Sequence, residues 1–222
     1  GLNAEAVGID AIAIGNQAGL ATGSINDRSI SIGRRANQGI NAIGSESIAI
    51  GVDSESSQTS AIAIGHDALA DGANSVALGN GAEASGNSQV SIGTSAGTAT
   101  GSAGSSTISI GLDSNTGSNA LGAQGIAIGI NTVTSATGSI ALGRHSNATA
   151  IGAMLIGYHT SAQTNSVSDS FELAWDGTTV FKTGLTIGTF IGLNADPTTN
   201  LTNALEGSIV WDDTANEVVV YD

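Results

Sequence analysis

Branched apolar residues recur along this chain in pairs, with one small residue between them and a glycine behind. The phrase reads "SESIAIG" at residues 45–51 and returns as "TSAIAIG", "ANSVALG", "NSQVSIG", "SSTISIG" and "TGSIALG". Apolar, small, apolar is a period of two, which places the branched residues on one face of a strand and the small ones on the other. A helix is opposed by that period, by the β-branched enrichment and by the dense glycine. The glycines closing the phrases are Gly15, Gly33, Gly44, Gly51, Gly65, Gly79, Gly93, Gly111, Gly122, Gly129, Gly143 and Gly157. The pattern of their spacing itself repeats: each mark from Gly15 to Gly79 has a counterpart from Gly93 to Gly157. Regular periods of this kind mark a stack of short coils. The pattern predicts a tandem duplication, a 78-residue super-repeat in which Ile32 and Ile110 are equivalent.

One 14-residue coil resolves into two short strands and two turns. Between the phrases lie Ala-rich stretches such as "DALADG" and "AEASG", with turn glycines at Gly72 and Gly86. Stacking at ~4.8 Å pairs each strand with its neighbours above and below, giving about ten coils and roughly 50 Å for residues 5–157. In the longer coils the extra residues are expected as loops at "SINDRS" and "SAGSST". The branched residues Ile48, Ile50, Ile62, Ile64, Val76 and Leu78 are expected to fill the interior of the roll. The position between them is always tiny: Ala13, Ser31, Ala49, Ala63, Ala77, Ser91, Ser109, Ala127 and Ala141. A solvent-facing strand position would admit larger residues, so uniform smallness implies a backbone lying close against that face. A narrow roll also buries little surface per residue. Both points predict a homo-oligomer packed through the Ala/Ser face.

Composition narrows the class. Aromatic residues make up 3% of the 222, too few for an ordinary globular core, while hydrophobic residues at 40% argue against disorder. Cysteine is absent, which removes disulfide and thiolate chemistry. No apolar run approaches the ~20 residues of a membrane helix, so no membrane insertion of this segment is expected. The net charge of −14 argues against a nucleic-acid partner, which needs clustered Lys and Arg.

"ANSVALGNGAEASG" at residues 73–86 resembles the YadA-type head repeats of trimeric autotransporter adhesins. The resemblance covers roughly residues 5–157. It implies a left-handed parallel β-roll, a homotrimer around one axis, and attachment to a glycan or protein receptor on a cell surface.

Residues 158–222 hold both Trp, both Tyr, the only Pro and the only Lys. The expected organisation is therefore all-β, with a roll over 1–157 and a small β-hairpin module over 158–222. The roll is expected to end near "ATAIGAMLIG", where Leu155 breaks the small-residue rule. "SFELAWDGTTVFKTG" reads as one hairpin, through Phe171, Leu173 and Trp175, a turn at Asp176–Gly177, then Val180 and Phe181. "GSIVWDDTANEVVVYD" reads as a second, joined by an Asp/Asn-rich turn. That closing hairpin is similar to modules of phage tail fibres. Trp175, Trp211, Tyr158 and Tyr221 are candidates for a sugar-binding platform or, by alternation, for an oligomeric core.

Candidate chemistry is sparse. His66, His145 and His159 lack paired metal-ligand spacing and are expected at turn surfaces. Asp53, Asp67 and Asp113 follow phrase glycines into exposed turns. Calcium is the one metal such turns would suit, but neither the EF-hand nor the GGxGxD pattern is present, and no cofactor is expected. Glycine runs such as "GSAGSSTISIG" lack the Lys of a phosphate loop. No catalytic residue is assigned. The expected function is a non-enzymatic fibre segment for surface attachment, with a phage-like tail fibre ahead of a bacterial adhesin head. A polysaccharide-cleaving tailspike is the enzymatic alternative. An ice-binding solenoid is excluded, since only Thr98/Thr100 and Thr132/Thr134 would form matched pairs.

Overall fold

The computed structural model describes residues 1–22, 27–40, 44–100, 104–118, 122–175, 209–212 and 217–220. It divides into two units, Gly1–Thr179 and Val180–Asp222. In the first, one parallel sheet runs through eleven successive strands: Ile12–Ile14, Ile30–Ile32, Ile48–Ile50, Ile62–Ile64, Val76–Leu78, Val90–Ile92, Ile108–Ile110, Ile126–Ile130, Ile140–Ala148, Met154–Asn165 and Phe171–Trp175. Each phrase pairs in register with the next, Ile48 with Ile62, Ala49 with Ala63 and Ile50 with Ile64. The first ten strands are the stack of about ten coils that the glycine period predicts.

The second strands form shorter ladders, of which Glu55–Ser56, Leu69–Ala70 and Glu83–Ala84 make the longest. Between the two sheets lies a core of Ala61, Ala63, Ala68, Ala70, Ala77, Ala82 and Ala84, each at most 1% exposed. This inverts the expected facing. Ala49, Ala63, Ala77, Ala127, Ala141, Ser31, Ser91 and Ser109 are buried inside the chain, and Ala13 is half-buried. They are thus unavailable to a partner. Ile48, Ile50, Ile62, Ile64 and Val76 are half-buried on the outer face, and Leu78 is exposed. The small side chains do mark a close backbone, but that backbone is the chain's own second strand. Two strands joined by such tight turns lie too near one another to hold branched side chains between them.

The phrase glycines serve the same economy of space. Gly65 takes φ +144°, and a Cβ there would overlap the carbonyl oxygen of Gly79 one coil below; Gly51 stands in the same relation to Gly65. Glycine alone fits both the dihedral and the stacking.

Where coil length changes, a buried amide bridges the gap. The Gly39–Ile40 and Glu55–Ser56 strands belong to separate ladders, because the coil shortens between them. Asn37 sits at this break, fully buried, donating from Nδ2 to Ser31 Oγ at 3.0 Å. Its Oδ1 accepts from the Ser56 N–H at 2.7 Å and from Ser56 Oγ at 3.2 Å. Asn115, its equivalent in the second copy, repeats the arrangement with Ser109 Oγ at 2.9 Å, the Thr134 N–H at 2.7 Å and Thr134 Oγ1 at 3.0 Å. Where the coil lengthens again, buried Gln89 accepts from the Gly86 N–H at 2.8 Å and donates to Glu83 O at 3.2 Å and Ser91 Oγ at 3.0 Å. These side chains replace ladder bonds that the length change removes, so buried backbone groups stay paired. Ile32 and Ile110 are both half-buried and pair onto Ile50 and Ile128.

Other expectations are corrected. In the longer coils the extra residues are divided between the two sides of the second strand, rather than all following it; residues 24–26 and 102–103 of the expected loops lie outside the described residues. The sheet does not stop near residue 157. Its strands lengthen to Ile140–Ala148 and Met154–Asn165, and the interior there admits Leu155 and His159, both buried. Phe171–Trp175 pairs in parallel with Met154–Tyr158, so it extends the roll instead of opening a hairpin. The proposed return arm at Val180 and Phe181 lies outside the described residues. In the second unit, Ile209–Asp212 and Glu217–Val220 do pair antiparallel, Trp211 opposite Val218.

Two substitutions probe this packing. Ala63→Leu overpacks the interior and should destabilise the chain by about 1–3 kcal/mol or more, read from the denaturation midpoint, whatever its oligomeric state. Asn37→Ala leaves the Ser56 N–H without its acceptor and should cost about 1–3 kcal/mol, with Asn115→Ala matching it.

Candidate functional site

Where the described coils are filled with small side chains, the outer faces and turns are what remain to meet a ligand. Branched residues form two columns down one face. Ile12 is 46% exposed, Ile14 56%, Leu78 41% and Ile128 39%, a contiguous apolar strip on one sheet. The sequence reading placed these side chains inside and so missed the strip. The signal was available: a coil of this length has room inside only for the tiny residue of each phrase.

Both turns put non-glycine residues in the left-handed region, among them Arg28, Glu46 and Ser60 at one corner and Arg35, Asp53 and Asp67 at the other. Stacking then brings side chains of successive coils together. Arg28 pairs with Glu46, and Arg35 Nε meets Asp53 Oδ1 at 2.5 Å with Arg34 at 3.7 Å from the same carboxylate. The Arg35 hydrogen bond holds the Asp53 carboxyl below the usual carboxylate range, outweighing desolvation that acts the other way. His66 Nδ1 lies 2.9 Å from Asp67 Oδ2. Asp53, His66 and Asp67 offer donor atoms within 4.8 Å of one another, yet Arg35 already binds both oxygens of Asp53. Of the histidines, His66 is exposed as expected; His145 is half-buried, with a left-handed φ at the bulge in the Ile140–Ala148 strand rather than in a turn. His159 is 1% exposed on the long Met154–Asn165 strand, a correction: its alternation follows Leu155 and Gly157 into the interior.

Of the four aromatic candidates, the structure brings two into register. Tyr158 is 53% exposed and shares a register position with Trp175 on the next strand. Trp211 belongs to the hairpin of the other unit, and Tyr221 lies outside the described residues.

The model of the YadA head domain repeat matches residues 1–18, 42–68, 70–96 and 120–146. These segments are YadA head repeats. Two of them, 42–68 and 120–146, hold equivalent places in the two copies of the duplicated coil pattern, as the buried asparagines do. No curated protein matches the chain. Among the described residues, no helix is long and apolar enough to cross a membrane.

On the second sheet's outer face Glu55 is half-buried beside Leu69, and burial followed by the charge of Asp71 raises its pKa. A raised carboxyl means the folded chain holds the proton more tightly, so this group's contribution falls as pH rises through its folded pKa. Glu55→Gln should therefore stabilise the chain at neutral pH by a few tenths of a kcal/mol, screened by solvent. The gain should vanish below the carboxylate range when melting curves are compared across pH.

Proposed function

We propose that this chain is a trimeric, extracellular attachment segment: a rigid, non-enzymatic roll that presents its turns and its C-terminal end to a receptor on a surface. The observation that supports this most is the exposed strip of branched side chains. A strip running coil after coil down one sheet is a surface built to be covered. Three copies sharing it around one axis would remove it from water, and adhesin heads built of these repeats form trimers. Trimer contacts are thus assigned to Ile12, Ile14, Leu78, Ile128 and their column neighbours. Loops on a rigid scaffold are the usual seat of recognition, and threefold presentation strengthens weak individual contacts.

The repeats favour a bacterial adhesin head as the setting. A virion tail fibre is the second reading, carried by the antiparallel hairpin of Ile209–Asp212 and Glu217–Val220.

The test pairs light scattering with cell binding. The intact protein should have three times the chain mass, while Ile64→Asp together with Ile128→Asp should give folded monomers. Those monomers should bind target cells roughly 10²-fold or more weakly through lost avidity. A monomeric wild type contradicts the assembly, equal binding by the variant contradicts multivalent attachment, and release of sugar fragments from the cells points to the tailspike.

A further inference from the structure

Beside the two branched columns runs a third, formed by the residue after each phrase glycine. Over the upper coils it is mostly polar: Asn16, Arg34, His66, Asn80 and Thr94 are exposed, while Val52 among them is half-buried and Leu112, after Thr94, is 46% exposed. The column borders the branched face as a mixed rim. Toward the C-terminal end the strands extend past the glycine and the column changes character. Ile130 pairs with Arg144, Arg144 with Tyr158, and Tyr158 with Trp175, each on the next strand down.

Arg144 differs from the other described arginines. Arg28, Arg34 and Arg35 each meet a carboxylate, on Glu46 or Asp53. Among the described residues no carboxylate reaches Arg144. Its guanidinium lies 5.3 Å from the centroid of the Tyr158 ring, and its Nη1 donates to the Tyr158 hydroxyl at 2.9 Å. The ring is 53% exposed and Ile130 above is 42% exposed. A half-exposed ring beside a cation that no carboxylate reaches among the described residues suits a ligand with an apolar face and an anionic group. In a chain of net charge −14 such a cation is a local exception that an anion would find.

We propose that the Ile130–Arg144–Tyr158 column binds an acidic saccharide. The C–H face of a pyranose lies on the exposed part of the Tyr158 ring, and the sugar carboxylate takes the guanidinium donors of Arg144 that Tyr158 does not use in charge-assisted hydrogen bonds. This rests on the attachment reading and names its ligand class.

The experiment titrates the intact protein with an oligogalacturonide and with the neutral galactose oligomer of equal length. Wild type should prefer the acidic oligomer, the preference weakening as salt is added. Arg144→Gln should bind that oligomer roughly tenfold more weakly and lose the preference, as expected when one charged hydrogen-bond donor is removed. Tyr158→Leu should weaken both sugars, and Asn80→Ala, on the polar part of the rim, should change neither. Binding of neither oligomer by wild type, an undiminished preference in Arg144→Gln, or tighter binding of a polyglutamate peptide than of either sugar overturns the proposal. If such a result comes with intact trimers that still bind cells, the site alone has failed; wild-type trimers that bind no cell overturn the attachment reading itself.

Discussion

The interval between the two strands of a coil governs this molecule. Tight turns hold the strands so near that only Ala, Ser and a few Thr, Asn and Gln fit between them. The core of Ala63, Ala77, Ala70 and Ala84 is the direct consequence. A methyl interior buries little apolar area, so the branched residues cannot be spent inside and come to lie on the outer face. The same closeness requires glycine where one coil's backbone passes over the next, as at Gly51 and Gly65. Narrowness thus links three features: an Ala/Ser core, a glycine ladder and an apolar outer strip.

Length changes are the points where such a stack is vulnerable. A coil that is shorter than its neighbour cannot keep both ladders in register, and the second sheet breaks while the first runs on. Asn37 and Asn115 resolve the conflict by lending a side-chain carbonyl to the backbone N–H that the break exposes. A buried amide inside an alanine core is tolerable only because its donor and acceptor groups are engaged. Their recurrence at equivalent places in the two copies shows that the junction was copied with the coils.

Much of the architecture was legible because the period of a solenoid is written in its sequence. The glycine spacing gave the coil lengths, the number of strands up to Ile156 and the offset of the duplication. What alternation cannot give is its phase: it separates Ile48 and Ile50 from Ala49 without saying which face is inside. Hydrophobicity suggested the branched face, whereas the deciding quantity was the width left between strands. The end of the roll was misread for a related reason. Leu155 breaks the small-residue rule, yet it lies buried in a strand that runs on to Asn165. Among the aromatic residues, the shared register of Tyr158 and Trp175 is something only the stacking reveals, and Trp211 belongs to another unit.

The facing of the two strand faces carries the whole account, and the absence of native cysteine makes it measurable. Single cysteines placed at Ile64 and at Ala63 occupy adjacent positions on opposite faces of one strand. On mild oxidation, Ile64→Cys should form covalent links between chains, and Ala63→Cys should remain unlinked and unreactive until the protein is unfolded. Efficient linking of Ala63→Cys between folded chains, with Ile64→Cys protected inside each one, would contradict the account.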